Sequence, residues 1–208
     1  MSQRLRILLI GASGVLGRAI AVELAPRHDM VTAGSKSGDI RIDIADPKSI
    51  EAGFEAAGAL DAVVSAAGAV NFAPLAAIRP AGIADSAYGL GLANKLMGQV
   101  NLALAAREKL RDGGSITLVA GVLSQTPIAA GSSASMVNAA IEAFVMAAAV
   151  ELPRGLRINA VSPTVFEESM DAYGPFFRGF EPAPVARAAR AYSRSVEGLE
   201  TGKTYRVL

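Results

Sequence analysis

Apolar and polar positions recur along this chain in two periods, which predict strands and helices in turn. Residues 5–10 (LRILLI) form a short apolar run, the pattern of a strand buried on both faces. Leu16, Ile20 and Leu24 then recur at every fourth position, as on one face of a helix. Further strands are predicted over residues 30–34, 40–42, 60–67, 115–120, 157–161 and 203–208. Further helices are predicted from Pro47, with Asp46 as N-cap, and over residues 86–110, 132–152 and 184–199.

Strands and helices alternate from end to end, with no repeat and no linker between them. Residues 112–114 (DGG) predict a turn, and residues 166–184, which contain Gly and Pro, predict an irregular segment. Right-handed crossovers between parallel strands build a doubly wound sheet, with helices on both faces and ligands beyond the carboxyl ends of the strands. We therefore predict a single α/β domain of Rossmann type, with about seven parallel strands, spanning residues 1–208.

Composition supports this class and narrows the partners. The chain is 51% apolar with 21 glycines, which suits parallel strands under closely packed helices. Its 20 basic and 19 acidic residues leave a net charge of +1 with no basic block, so neither nucleic acid nor an anionic membrane is expected as a partner. The absence of cysteine excludes thiolate metal sites and a thiol nucleophile, and we expect no metal site. The short N-terminal apolar run does not match a signal peptide, and no stretch approaches a bilayer span, so we expect a cytoplasmic protein.

The glycine-punctuated turn after the first strand predicts a phosphate site. Gly11, Gly14 and Gly17 allow close approach of backbone to a pyrophosphate, and the helix that follows offers unpaired N–H groups and a positive dipole end. The candidate contacts with a dinucleotide in this turn are Gly11, Ser13, Gly14, Val15 and Leu16.

The end of the second strand decides between the two nicotinamide cofactors. NAD-binding proteins of this class usually place Asp or Glu here, against the ribose 2′-hydroxyl. This chain has Ser35, Lys36 and Ser37 instead, two hydroxyls and a cation that favour the 2′-phosphate of NADP(H) over NAD(H), unless Lys36 only solvates a turn. Asp43, followed by Ile44, is placed either to meet an adenine amino group or to cap a turn.

These motifs together resemble the short-chain dehydrogenase/reductase family over nearly the whole chain. The matching segments are GASGVLG at 11–17, Asp43, SAAG at 65–68, Asn94, GGSITLVAG at 113–121, AAVELPRGLRINAVSP at 148–163 and TG at 201–202. The resemblance implies a Rossmann fold, nicotinamide binding, and dimers or tetramers formed through the two long helices. It adds further cofactor contacts, namely Ala66, Ala67, Gly68, Pro163, Thr164 and Val165.

The catalytic residues of that family are missing here. Its Tyr and Lys fall on Ala134 and Asn138, and its Ser falls on Gly121, leaving Asn94 as the one catalytic candidate, unless Asn94 only faces water. Residues 115–152 contain no Tyr, Lys, His or Cys, so no shift of the alignment restores the set.

Other side chains are possible substitutes for the missing proton donor. Ser124, Ser132, Ser133 and Ser135 could bind a carbonyl, although a hydroxyl is a poor acid near neutral pH. Tyr88 and Tyr173 are more typical of packing residues, and Lys95 is predicted to point about a quarter-turn away from Asn94. His28 is given no role, and Phe176, Phe177 and Phe180 fit either an apolar pocket or a loop anchor.

Three functions remain open on the sequence alone. The first is an NADP(H)-dependent oxidoreductase that acts on an unknown small-molecule carbonyl or alcohol with a non-standard proton donor. The second is an inactive NADP(H)-binding sensor or structural protein without a substrate. A scaffold independent of nucleotide leaves the glycine turn and residues 35–37 unexplained.

Overall fold

The computed structural model describes residues 4–208 and contains one parallel sheet of seven strands in the order β3-β2-β1-β4-β5-β6-β7. The strands are β1 (Arg6–Ile10), β2 (Asp29–Gly34), β3 (Ile40–Arg41), β4 (Leu60–Ser65), β5 (Leu110–Val119), β6 (Arg157–Pro163) and β7 (Thr204–Val207). The chain builds outward from β1 to β3, then crosses back to place β4 against the other side of β1. The order reverses between β1 and β4, where this class of sheet opens its ligand crevice. The predicted Rossmann-type fold is confirmed.

Six α-helices lie within the described residues, and all but the shortest of them pack against the sheet. They are α1 (Val15–Leu24), α2 (Pro47–Ala57), α3 (Met97–Lys109), α4 (Ser132–Glu151), α5 (Met170–Tyr173) and α6 (Val185–Glu197). The predicted N-cap is confirmed, since the Asp46 carboxylate accepts a hydrogen bond from Lys48 N–H at 2.9 Å and Pro47 opens α2. The segment 166–184, predicted as irregular, contains the short helix α5 and a 3₁₀ turn at Glu167–Ser169.

The continuous apolar runs of the strands serve two cores, one on each face of the sheet. Ile7 and Leu9 of β1 belong to the core beneath α1 and α6, whereas Leu8 and Ile10 belong to the core beneath α2, α3 and α4. Because successive strand side chains point to opposite faces, a strand covered on both sides is apolar throughout.

Two predicted elements are corrected. The helix predicted over 86–110 is instead a turn at 86–88 followed by a π-helix at Gly91–Leu96 and then α3, and Leu110 already belongs to β5. The turn predicted at 112–114 lies inside β5, because Gly113 takes a positive φ of 76° while the β4–β5 register shifts beside it. Glycine at 114 also permits close approach, since an added Cβ would lie 2.8 Å from the Asp61 carbonyl.

A third correction concerns α4, because one helix does reach the length and apolarity of a membrane span. Ser132–Glu151 passes that criterion within the described residues, contrary to the expectation that no stretch approaches it. Core helices of soluble proteins pass it too, and α4 packs Val137, Ile141 and Val145 toward the sheet while Met146 and Val150 are exposed.

Candidate functional site

The glycine turn between β1 and α1 is closed so tightly that two positions accept no side chain. Gly11 has a φ of +83°, and an added Cβ would lie 2.8 Å from the backbone of Ala66 after β4. A Cβ at Gly17 would lie 2.1 Å from the Gly11 carbonyl oxygen. Glycine at both positions brings α1, the turn and the end of β4 into direct backbone contact, leaving room for a ligand above them.

The amino end of α1 offers its first-turn N–H groups without competition from a side-chain cap. The N-cap residue Gly14 makes no side-chain hydrogen bond, and Ser13 and Gly14 are exposed. Leu16 is buried, so that only its backbone can contact a ligand, and Val15 lines a neighbouring groove between α1 and α6. This arrangement fits the predicted pyrophosphate site, since free N–H groups and the helix dipole both favour an anion.

A cleft of about 380 Å³ extends from this turn along the carboxyl ends of β1 to β4. It brings together most of the predicted cofactor residues, together with Asn94 from the π-helix. The predicted residues lining it are Gly11, Ser13, Ser35, Lys36, Ser37, Asp43, Ile44, Ala67 and Gly68.

The loop after β2 presents Ser35, Lys36 and Ser37 as exposed residues at the rim of the cleft. The nearby carboxylate of Asp39 is directed away, because it accepts hydrogen bonds from the N–H and hydroxyl of Thr32 at 2.9 and 2.8 Å. Those bonds lower the pKa of Asp39 and hold the loop in place. No carboxylate of the β2 loop therefore lines the cleft where a ribose 2′-substituent would bind.

Asp43, which follows β3, also lines the cleft, and part of its carboxylate is already hydrogen-bonded. Its Oδ1 accepts a hydrogen bond from Ala45 N–H at 3.0 Å, and the residue is exposed. Ile44 is buried and packs against Gly98. Both interpretations of Asp43, a turn cap and an adenine contact, are compatible with this geometry.

The structure does not bring the predicted contacts after β6 into the cleft. Pro163, Thr164 and Val165 are buried, and none of them lines it. Thr164 donates its hydroxyl to the Glu181 carbonyl at 3.3 Å and its N–H to Val207 at 2.8 Å. Its hydroxyl is thus engaged within the protein, and the role of these three residues and of Ala66 toward a cofactor stays a prediction.

The end of β5 and the facing side of α4 hold small and amide residues that fit one another. A Cβ added at Gly121 would lie 2.9 Å from Asn138 Nδ2, so glycine at 121 makes room for this carboxamide. Asn138 is 3% exposed, and its Oδ1 has no hydrogen-bond partner within residues 4–208. A buried amide oxygen without a partner indicates a place for a ligand atom or water.

Asn94 and Lys95 of the π-helix flank the loop after β4. Asn94 Oδ1 accepts a hydrogen bond from Ala69 N–H at 2.7 Å. Lys95 lies across Gly68, where an added Cβ would be 2.6 Å from Lys95 Cγ, and its Nζ donates to the Ala120 carbonyl at 3.2 Å. Burial lowers the pKa of Lys95 to about 8. The Asn94 carboxamide thus binds the loop after β4, whereas the Lys95 ammonium reaches the end of β5. The quarter-turn between the two side chains stays a prediction.

Comparison with known proteins agrees with this geometry. A family model described as enoyl-(acyl carrier protein) reductase, of the short-chain dehydrogenase/reductase family, matches residues 15–208. The chain belongs to the short-chain dehydrogenase/reductase family. The protein lin1944 from Listeria innocua is similar over 98% of this chain and 99% of its own, with 46% identity and a TM-score of 0.93. No protein of curated description matches significantly.

More distant solved structures share the fold. A small-chain dehydrogenase in complex with NADPH has 24% identity and a TM-score of 0.83, covering 99% of this chain and 97% of its own. A short-chain dehydrogenase from Burkholderia cenocepacia J2315, in complex with NADP, has 23% identity and a TM-score of 0.81, covering 97% and 95%.

Ala134, the residue on which the sequence resemblance places the tyrosine of the short-chain dehydrogenase/reductase family, is surrounded by apolar packing. Ala134 is 3% exposed and shares a buried cluster with Val122, Leu123, Val165 and Phe177. Phe177 stacks edge-on with Phe180 at 5.2 Å, whereas Phe176 is exposed. Phe177 and the partly buried Phe180 anchor segment 166–184 to the cluster that contains Ala134.

Most of the hydroxyl groups considered as substitutes for the proton donor are hydrogen-bonded to other residues or lie outside the cleft. The Tyr88 hydroxyl lies 3.2 Å from Ser132 Oγ, outside the cleft, and Tyr173 is 47% exposed. Ser124 donates to Glu142 at 2.6 Å, while the buried hydroxyls of Ser133 and Ser135 have no partner within the described chain. His28 lies near the amino ends of the strands, where its ring is 2.9 Å from Glu197 Oε1 and also accepts from Leu5 N–H.

The sequence did not predict the contacts of three residues of the site, Gln99, Asn138 and Lys95. Gln99 is fully buried and bonds both the N–H and the carbonyl of Val119, and the unpartnered oxygen of Asn138 was not foreseen. For Lys95 the sequence did contain a signal. Proline at 163 has no N–H, so it leaves a carbonyl of the neighbouring strand free to accept a hydrogen bond from another donor.

Proposed function

We propose that this short-chain dehydrogenase/reductase is an NADP(H)-dependent oxidoreductase that interconverts a carbonyl compound and an alcohol with a non-standard proton donor. The observation that carries the proposal is the cleft, which has a backbone cradle at Gly11 and Gly17 and exposed Ser35, Lys36 and Ser37 at its rim. We also expect a cytoplasmic homodimer or homotetramer.

The residues of the cleft fit the two ends of the cofactor. The amino end of α1 would hold the pyrophosphate through backbone N–H groups. Lys36 and its flanking serines would bind the 2′-phosphate as a charge-assisted contact, and no carboxylate of the β2 loop opposes it. Asp43 would meet the adenine, and Gly68 and Asn94 line the end of the cleft nearer β5.

When bound, the nicotinamide supplies or accepts a hydride, while the protein orients the substrate and moves the proton. The two fold relatives in complex with NADPH and NADP support the choice of cofactor. Their low identity leaves the preference over NAD(H) to residues 35–37 of this chain.

The second candidate is an NADP(H)-binding protein without turnover. Gly121, Ala134 and Asn138 favour it, because they replace the three family residues that move the proton. It shares the cleft and the predicted cofactor preference with the first candidate, and differs in having no carbonyl substrate.

The cofactor preference is tested at Lys36. In Lys36→Glu the cation is lost and a carboxylate faces the 2′-phosphate, so we expect the Kd for NADPH to rise about tenfold or more, or roughly 1.4 kcal/mol. The Kd for NADH should change less than about threefold. Cofactor fluorescence gives both values cleanly, since the chain has no tryptophan.

A matched control is Lys203→Glu, an exposed lysine beside β7 at the far edge of the sheet. It should leave both affinities unchanged. Equal losses of NADPH and NADH affinity in Lys36→Glu would contradict the assigned preference, and failure of the unaltered protein to bind either cofactor would contradict the proposed function.

A further inference from the structure

The Lys95 ammonium is held at the end of β5 by a carbonyl that the sheet leaves free. In the β5–β6 ladder, Ala120 N–H donates to Val161 O at 2.8 Å, and the Ala120 carbonyl would accept from the residue at position 163. That residue is Pro163, which has no N–H. The unpaired carbonyl accepts instead from Lys95 Nζ at 3.2 Å.

Two further contacts fix the course of this side chain. Glycine at 68 leaves space for the Lys95 methylenes, which a Cβ there would meet at 2.6 Å. Gln99 Nε2 donates to the Lys95 carbonyl at 3.2 Å and to Val119 O at 2.8 Å, which ties the π-helix to β5. The lysine is thus held by backbone on both sides rather than lying free at the surface.

No carboxylate neutralises the ammonium within residues 4–208. The loop after β4 and the end of β5 contain no titratable side chain between residues 62 and 70 or between 115 and 125. On α4 the charged residue on the Asn138 face is Glu142, which accepts from Ser124, Ser162 and Arg206. A half-buried, unpaired lysine with a pKa of about 8 releases and regains a proton near neutral pH.

The surroundings leave this group as the available acid. The tyrosine position is closed by the apolar cluster around Ala134, and Tyr88 binds Ser132 outside the cleft. The unpartnered Oδ1 of Asn138 lies beside Gly121, the residue next to the carbonyl that Lys95 binds. An acid and an amide therefore converge at the end of β5, beside the part of the cleft lined by Gly68 and Asn94.

We propose that Lys95 is the catalytic proton donor, taking over from the π-helix the task that a tyrosine performs on α4 in the rest of the family. This inference rests on the proposed oxidoreductase function. In carbonyl reduction, a hydride from the reduced nicotinamide forms the new C–H bond as the carbonyl π bond breaks, and the Lys95 ammonium gives one proton to the oxygen. The products are the alcohol, the oxidised cofactor and a neutral amine, which takes a proton from water. Alcohol oxidation is the reverse, with the neutral amine as base.

The experiment compares Lys95→Arg, Lys95→Met and the control Lys203→Met with the unaltered protein. NADPH affinity is measured by cofactor fluorescence, and NADPH oxidation is followed with a panel of aldehydes, ketones and quinones. Arginine keeps the positive charge but cannot release a proton near neutral pH. Both Lys95 variants should therefore lose about a hundredfold or more in kcat, with NADPH affinity within about threefold of the unaltered protein.

Two pH measurements separate a proton donor from a structural lysine. In the unaltered protein, kcat/KM for reduction should be level below about pH 8 and fall above it, because the protonated amine is the reactive form. Independently of turnover, the Nζ chemical shift of lysine-labelled protein should show one of the five lysines titrating near pH 8, with that signal absent in Lys95→Met.

The unfolding free energy gives a third measure. Since folding lowers the pKa of Lys95, the unfolded state binds more protons between about pH 8 and 10.5. Stability of the unaltered protein relative to Lys95→Met should therefore rise with pH across that window.

The outcomes distinguish this inference from the function on which it rests. Activity retained within threefold in both Lys95 variants, or an Nζ that titrates near 10.5, would overturn the role of Lys95 and leave the oxidoreductase in place. NADPH binding without turnover of any carbonyl would overturn the role and favour the sensor. Absence of NADPH binding by the unaltered protein would remove the proposed function itself.

Discussion

Gln99 completes the sheet where strand β4 has ended, and its replacement should be costly. The β4–β5 ladder stops at the pair Val64–Thr117, so Val119, two residues further on, has no strand partner on that side. The Gln99 carboxamide takes that place, accepting from Val119 N–H at 2.8 Å and donating to Val119 O at 2.8 Å. Both bonds are buried, so removing the carboxamide would leave the N–H and the carbonyl of Val119 without their partner in the protein.

The magnitude follows from the groups left without a partner in Gln99→Leu. Leucine has a similar volume but cannot hydrogen-bond, so one buried N–H and one buried carbonyl of Val119 lose their partners. Each orphaned group costs about 1–3 kcal/mol, and burying the apolar side chain recovers part of the sum. We expect a net loss of about 3 kcal/mol, which for a chain of this size lowers Tm by roughly 6–12 °C.

The assay is urea unfolding followed by circular dichroism, at two protein concentrations because association would add its own stability. The control is Gln125→Leu, an exposed glutamine after β5 whose replacement should change the unfolding free energy by less than about 0.5 kcal/mol. If Gln99→Leu unfolds within 0.5 kcal/mol of the unaltered protein with the same m value, the carboxamide does not act as the missing strand partner. A Lys95 that still titrates near pH 8 in that variant would show that Gln99 does not position it.

Two further predictions concern the turn and the pH dependence of stability. In Gly17→Ala the added Cβ would meet the Gly11 carbonyl, so α1 must move by roughly 1 Å. Because that movement displaces the phosphate site, the Kd for NADPH should rise at least tenfold. The control Gly82→Ala, which has open space around the added Cβ, should leave that Kd unchanged. Desolvation acts to raise the pKa of Glu197, but hydrogen bonds from Arg27 and His28, of which that from Arg27 has the larger effect, lower the pKa overall. The ionised Glu197 therefore stabilises the fold above about pH 4.5, and this contribution is lost as the pH falls through the lowered pKa. The difference in unfolding free energy between the unaltered protein and Glu197→Gln should accordingly shrink below pH 4.5, and a difference constant down to pH 3 would contradict the assignment.

The central strands could be predicted because each is buried on both faces and is therefore apolar throughout. The strands predicted over 60–67 and 157–161 follow this rule, and their bounds differ from the structure by two residues or fewer at either end. The start of β5 could not be predicted, because residues 112–114 have turn chemistry that the structure accommodates inside a strand through the positive φ of Gly113. Local propensity favours a turn there, and the pairing of Leu110 and Ser115 with β4 on either side overrides it.

The glycine turn and the β2 loop could be identified from the sequence as a candidate cofactor site, whereas the contacts on the catalytic side could not. A phosphate site of this kind is formed by backbone N–H groups, and the spacing of glycines in the sequence indicates where the backbone must closely approach a ligand or another segment. A proton donor is one side chain, and the sequence predicted only that Lys95 points about a quarter-turn away from Asn94. It predicted neither the π-helix at Gly91–Leu96 nor the contacts that place the Lys95 ammonium at the end of β5. Pro163 frees a carbonyl on β5, Gln99 fastens the π turn to the same strand, and Gly68 leaves room for the lysine between them. These three residues lie far apart in the sequence and meet only in the folded sheet, so the loss of the family tyrosine and lysine was visible in the chain before the group suited to replace them.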